Sequence, residues 1–309
     1  MGLIKNKKGI FFISLALIVL SIFVLTVTFL PDFNTRSSVQ KRVESLDSFI
    51  FSIEQDLPRQ LYVFGFRTLF LIEEDIVENN TYANDVNGLF QEAFFSGSLN
   101  GNEENLLEGA KFSDIQDELQ RRAQAVSANI TLSSPILTVS QDDPWNVKLT
   151  LTADFLAEDL GGSVKWDKEI VINSYIPIEN FEDPLYLINT NGLVPNKMVK
   201  TPHDSFVTEN DVSNLNDHLG NSYYITSTTG PSFLNRLEGN IIANPQGIES
   251  LVNLQNLSSQ GISVKQKSVV DYIYFSTNNP TNCNVQPSGM PSWFRLDNEH
   301  LVTYEVNCV

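Results

Sequence analysis

One uninterrupted apolar run, Ile10–Leu30 (IFFISLALIVLSIFVLTVTFL), limits what this chain can fold into more than any other feature. Its 21 residues include no charge, glycine or proline. As a helix rising 1.5 Å per residue it reaches about 30 Å, the thickness of a bilayer's hydrocarbon core. A buried helix of a globular protein seldom runs this long without a polar face. A cleaved secretory signal has an apolar region of ~7–15 residues ending in small side chains. This one ends in Thr28-Phe29-Leu30-Pro31. The run therefore reads as a transmembrane helix. Lys5, Lys7 and Lys8 precede it and Pro31-Asp32 follow it, which places the N-terminus in the cytoplasm. The expected plan is a single-pass protein of the cell membrane. It has a basic cytoplasmic N-terminus at 1–9, a span at 10–30 and an extracytoplasmic remainder.

Those three lysines leave 17 of the chain's 20 basic residues to face all 37 acidic ones beyond residue 30, a net of −20. Such a surface repels phosphate backbones, so nucleic acid is excluded as a partner. The two cysteines, Cys283 and Cys308, are expected to form a disulfide in an oxidising compartment. Two free buried thiols are the alternative, since two cysteines alone cannot complete a metal site. Three glycosylation sequons begin at Asn79, Asn129 and Asn256, but a chain this rich in Asn, Ser and Thr supplies several by chance.

Beyond the apolar run, Val39, Val43, Leu46, Ile50, Ile53 and Leu57 are spaced 4-3-4-3-4, a heptad seam. The seam must bury its stripe against another helix of this chain, another subunit or a sheet. Pro58 is expected to kink or end that helix. Residues 61–72 then read as a core helix, and a further helical block is expected from about Asn102 to Ser127. From Asn129 to Pro177 the sequence alternates apolar and polar residues with β-branched enrichment, which predicts three antiparallel strands. Val147, Leu149, Leu151, Ala153 and Phe155 share one face of the middle strand. Later elements are short, with helices expected near Ser232–Glu238 and Pro245–Leu257 and a strand at 269–276. The class is α+β. Residues 31–128 form a helical stalk region, and 129–309 an α+β head with a subdivision near 200.

Lys7-Lys8-Gly9-Ile10-Phe11-Phe12 resembles the processing site of type IV pilins and archaeal pilin-like surface proteins. In that family a peptidase cuts after the glycine, and the apolar helix packs in a filament core. The resemblance implies cleavage between Gly9 and Ile10. It also implies a long N-terminal helix leading into a β-rich head, with a cysteine pair near the C-terminus. Pro31 is the twenty-second residue counted from Ile10, close to the kinking proline of many pilins. Ser14 stands where bacterial pilins usually carry glutamate, and the head is larger than that of a major pilin. Both departures favour a minor, tip or accessory component. The likeness in detail covers about the first 60 residues, while FEDPLYLINTNG resembles archaeal membrane-anchored proteins.

Chemistry-bearing patterns are sparse. The three histidines each neighbour a carboxylate, as His203-Asp204, Asp217-His218 and Glu299-His300. Adjacent residues point apart on most backbones, so adjacency makes no acid–base pair. No zinc-ligand spacing, nucleophile elbow or phosphate-binding glycine loop occurs. Glu209–Asp217 is rich in oxygen ligands but lacks the EF-hand pattern, and reads as a solvated turn with a helix cap. Trp293 and Phe294, inside the expected disulfide loop, are core residues or a contact patch.

These readings assign no catalytic residue, metal or cofactor. They point to a non-enzymatic, pilin-like surface protein acting in filament assembly or adhesion. Its membrane contact is Ile10–Leu30, and its route to self-assembly or partner helices is the seam from Val39 to Leu57. The alternative is a monomeric signal-anchored ectodomain that binds a ligand or protein partner. An extracytoplasmic hydrolase ranks behind both.

Overall fold

A computed structural model describes residues 7–162, 164–287 and 289–309, with the side chains of 7–10 and 27–38 outside the description. The fold is α+β with antiparallel sheets. Helix α1 (Lys7–Asn79) comprises 73 residues, about 110 Å at 1.5 Å per residue. It is followed by α2 (Val86–Ser96), a hairpin of β1 (Ser98–Leu99) and β2 (Asn102–Glu103), and α3 (Phe112–Ala125). A meander comes next: β3 (Ala128–Asp143), β4 (Asn146–Asp159) and β5 (Lys165–Pro177). The rest is short pieces: α4 (Pro184–Asn189), α5 (Ser213–Asn221), β6 (Tyr224–Thr226), α6 (Phe233–Leu237), β7 (Ile248–Ser250), α7 (Leu254–Ser259), α8 (Asp271–Tyr274), β8 (Asn282–Gln286), β9 (Arg295–Asp297) and β10 (Asn307–Cys308).

The meander forms where the alternating pattern predicts it. Val147, Leu149, Leu151, Ala153 and Phe155 are all buried on one face of β4. Ile170, Ile172 and Ile176 of β5 lie on that face too. The second half of α1 covers it, and one hydrophobic cluster gathers Leu46, Ile50, Ile53, Leu57, Leu61 and Phe64 with these strands. Close approach requires Gly65, because a Cβ there would stand 2.4 Å from Leu149 Cδ1 and 2.7 Å from Ile176 Cδ1. The same cluster takes in α2 and α3. A second cluster, from Leu185 to Val306, holds the C-terminal part together.

Four expectations require correction. Helix α1 does not end at Pro58. Proline inside a helix costs about 3 kcal/mol, but Ile53, Leu57, Leu61 and Phe64 are each at most 2% exposed against the sheet on both sides of it, and that burial outweighs one lost hydrogen bond. The block from Asn102 begins as a strand and a 3-10 turn, with regular helix only from Phe112. Pro245–Leu257 is mostly not helical, since Ile248–Ser250 pair with Tyr224–Thr226 and Asn253 caps a helix starting only at Leu254. Residues 269–276 are not a strand. Val270 makes one bridge to Leu251, and the chain then winds into α8 as the Asp271 carboxylate turns inward to Arg236.

Among the described residues no helix is long and apolar enough to cross a membrane. Of Ile10–Leu30 only Phe11–Thr26 have described side chains, about 24 Å of helix against a core of about 30 Å. The side chains of Gly9 and Ile10, the expected processing pair, and of Lys7 and Lys8 lie outside the described residues, as do Lys5 and the remainder of residues 1–6.

Candidate functional site

Three features of the molecule bear on function: the uncovered half of α1, a buried ionic network in the C-terminal part, and a cleft between α1 and the chain after β5. In the first, the large apolar side chains from Phe11 to Leu25 are 46–66% exposed. Successive helical residues are turned by 100°, so Phe11, Ile13, Leu15, Leu17, Ile18, Leu20 and Phe23 present apolar surface on every side. From Leu46 onward the same helix is amphipathic and buried on one face. Of the heptad seam, Leu46, Ile50, Ile53 and Leu57 are taken up by the chain's own core. Val39 and Val43 stay exposed.

The ionic network surrounds β7, whose three residues are all buried. On one side Arg236 donates from Nη1 to Asp183 Oδ2 at 2.5 Å and to Asp271 Oδ2 at 2.9 Å, with all three residues fully buried. The Tyr224 hydroxyl donates to Asp183 Oδ2 at 2.8 Å, and Ser250 Oγ to Asp271 Oδ2 at 2.9 Å. Burial raises Asp271 to about 6, against the lowering pull of Arg236. On the other side His300 Nδ1 is 2.7 Å from Asp297 Oδ1, and Nε2 is 3.2 Å from Glu249 Oε2 and 3.0 Å from the Tyr272 hydroxyl. Burial pulls the His300 pKa down, but hydrogen bonding to Asp297 and Glu249 outweighs it and lifts the value to about 10.

That geometry sets the chemistry. An imidazole oriented by a carboxylate, with hydroxyls of Tyr272 and Thr229 near its other nitrogen, has the outline of a hydrolytic triad. A general base must be unprotonated near neutral pH, and His300 is held as the cation by two carboxylates. The group is an ion cluster that ties β7, α8 and β9 together.

The other histidines are placed differently from their sequence neighbours. His203 Nε2 pairs with Asp217 Oδ2 at 2.7 Å rather than with Asp204. His218 is buried against the rings of Phe206, Tyr223 and Tyr304 with neither nitrogen hydrogen-bonded. Burial, aided by the charge of His203, lowers it to about 3. The oxygen-rich stretch forms a turn at 208–211, where Asp211 accepts from Ser213 N, and then the first residues of α5, whose N-cap is Val212 rather than the expected Asn or Asp. Among the described residues no three His, Cys, Asp or Glu side chains are arranged to hold a metal.

Cys283 and Cys308 are joined in a disulfide with their Cα atoms 5.7 Å apart. Phe294, within that loop, is core, while Trp293 is half-buried. Of the sequon residues, Asn79 and Asn256 are exposed and Asn129 is half-buried in β3.

The cleft involves residues to which the sequence reading gave no role. Phe66 and Phe70 of α1, Glu73 and Glu74 one turn on, and Glu179, Asn180, Phe181, Glu182 and Lys197 enclose about 360 Å³. The run 61–72 is apolar enough to read as wholly buried, and only the four-residue spacing of Phe66 and Phe70 hints at a second face. No protein family, curated protein or solved structure matches this chain.

Proposed function

We propose that this chain is a non-enzymatic, membrane-anchored cell-surface protein of pilin-like design, held by Ile10–Leu30 and acting in filament assembly or adhesion. The observation that carries the reading is the change along one continuous helix. Its described N-terminal part exposes Phe11 to Leu25 on all sides, and its C-terminal part is the core of the head. An apolar surface of that extent in water is unfavourable by about 25 cal/mol per Å², so it calls for lipid or other helices as its surroundings. A long N-terminal helix laid over an antiparallel sheet, with a disulfide near the C-terminus, adds support. In this reading the lysines stay in the cytoplasm and the head is outside the cell.

The N-terminal sequence of the protein taken from its native membrane tests the assembly reading. A start at Ile10 means cleavage after Gly9 and a subunit ready for assembly. A start at Met1 or Gly2, with a monomer in detergent, would sink it.

A second reading is a monomeric signal-anchored ectodomain that binds a ligand or partner. It is favoured by the fate of the heptad seam, of which only Val39 and Val43 remain exposed for contact with neighbouring subunits.

A further inference from the structure

The cleft beside α1 has an aromatic floor set in an acidic surface. Phe66 and Phe70, one turn apart on α1, are 43% and 47% exposed. The Phe66 ring centroid is 5.4 Å from that of Phe181, so the floor is continuous between α1 and the segment after β5. Four carboxylates rim it, Glu73, Glu74, Glu179 and Glu182, against the single cation Lys197. Among the described residues none of the four is in an ion pair, nor is Lys197. Glu73 has a buried Oε1 with no hydrogen-bond partner.

We propose that this cleft is a binding site for an organic cation, an alkylammonium whose methylenes lie on Phe66, Phe70 and Phe181 and whose charge lies among Glu73, Glu74, Glu179 and Glu182. The rim repels anions, and a neutral apolar ligand would leave its acidic groups without a counter-charge. Phenyl faces attract an ammonium as well as its apolar stem. A volume near 360 Å³ suits a small ligand or one long side chain.

Binding is linked to a proton. Burial raises Glu73 to about 8 against a backbone hydrogen bond from Glu182; the charges of Glu182 and Asp183 add to the rise and Lys197 opposes it. At neutral pH the empty cleft therefore holds Glu73 protonated. A cation entering beside it favours the carboxylate, and the proton leaves to solvent. Both a free amine and the lysine side chain of another protein offer this chemistry. The site stands whether or not the chain assembles through its N-terminal helix.

The test is calorimetric titration of the full chain in non-ionic detergent micelles with n-butylamine, against n-butanol as its uncharged counterpart. The measurement is made at pH 7 in two buffers of different ionisation enthalpy. The expected result is saturable one-to-one binding of the amine, at least about tenfold tighter than the alcohol, with heats that differ between buffers by the released proton. Phe70→Ala should weaken binding about fivefold. Glu73→Gln, which copies the protonated form and so spares the fold, should weaken it and abolish the buffer dependence. Equal binding of amine and alcohol, or indifference to both substitutions, overturns the proposal. So does an equal loss from Glu118→Gln on the far helix α3, which would reduce the attraction to net charge. Nα-acetyl-lysine amide separates the sources: affinity equal to butylamine points to a partner's lysine, and a tenfold deficit to a free amine.

Discussion

His300 accepts the company of two buried carboxylates, and its closest tie is to Asp297, three residues earlier, at 2.7 Å between Nδ1 and Oδ1. The folded pKa of about 10 exceeds the ordinary 6.5, so folding favours the protonated ring. The resulting stability is complete below pH 6.5 and declines as pH rises toward 10. We expect wild-type melting temperature to fall over that window. His300→Gln should flatten this slope and destabilise the protein by about 3–5 kcal/mol, because Asp297 and Glu249 lose their counter-charge. Thermal melts from pH 6 to 10 check both.

Glu73 carries the same raised sense for a carboxyl, about 8 against 4.5. The unfolded chain gives up its proton first, so this residue's contribution drains away as pH rises from 4.5 to 8. Glu73→Gln should therefore leave stability unchanged near pH 4 and increase it at pH 8, as read by denaturant midpoints at the two values. A loss at both values would mean that the carboxylate is needed by the fold.

Two glycines should rank in a definite order. A Cβ on Gly247 would lie 2.1 Å from Gly230 O and 2.3 Å from Ser227 O, both backbone atoms. On Gly65 it would meet the tips of Leu149 and Ile176, which can rotate aside. Gly65→Ala should cost about 1–3 kcal/mol, partly offset by better helix propensity of up to about 1 kcal/mol. Gly247→Ala should cost more, to the point of abolishing the folded head. Circular-dichroism melts of the pair decide the order.

Reduction of Cys283–Cys308 reopens a loop closed across 25 residues, and the chain-entropy model gives a cost of about 3 kcal/mol. Cys308→Ser should lower the melting temperature to the value of the reduced wild type. A drop only in the wild type on adding reductant, with Cys308→Ser already low, confirms the bond as the cause.

The legible parts of this molecule were those governed by local period. The alternation from 129 to 177 placed the meander and the buried face of β4, and the even cysteine count gave the disulfide. What local period does not encode is tertiary arbitration. Pro58 reads as a kink or an end of the helix, yet the helix runs on through it over the sheet beneath Leu57 and Leu61. Val269-Val270 reads as the start of a strand, yet Asp271 is drawn to an arginine 35 residues earlier. The ionic partners of His300 include Glu249, 51 positions away in sequence, and the acidic cleft joins Glu73 to Glu182. Neither pairing has a sequence signature, because each depends on which short segments the head brings side by side.

The continuity of α1 has a mechanical consequence. A pull on its N-terminal end acts along the helix axis, parallel to the face that Leu46, Ile50, Ile53, Leu57, Leu61 and Phe64 bury against the head. The load is then shared by all six contacts in shear, where a strand tugged from its edge would give way one residue at a time. A pull on that end is thus resisted by the full length of the core.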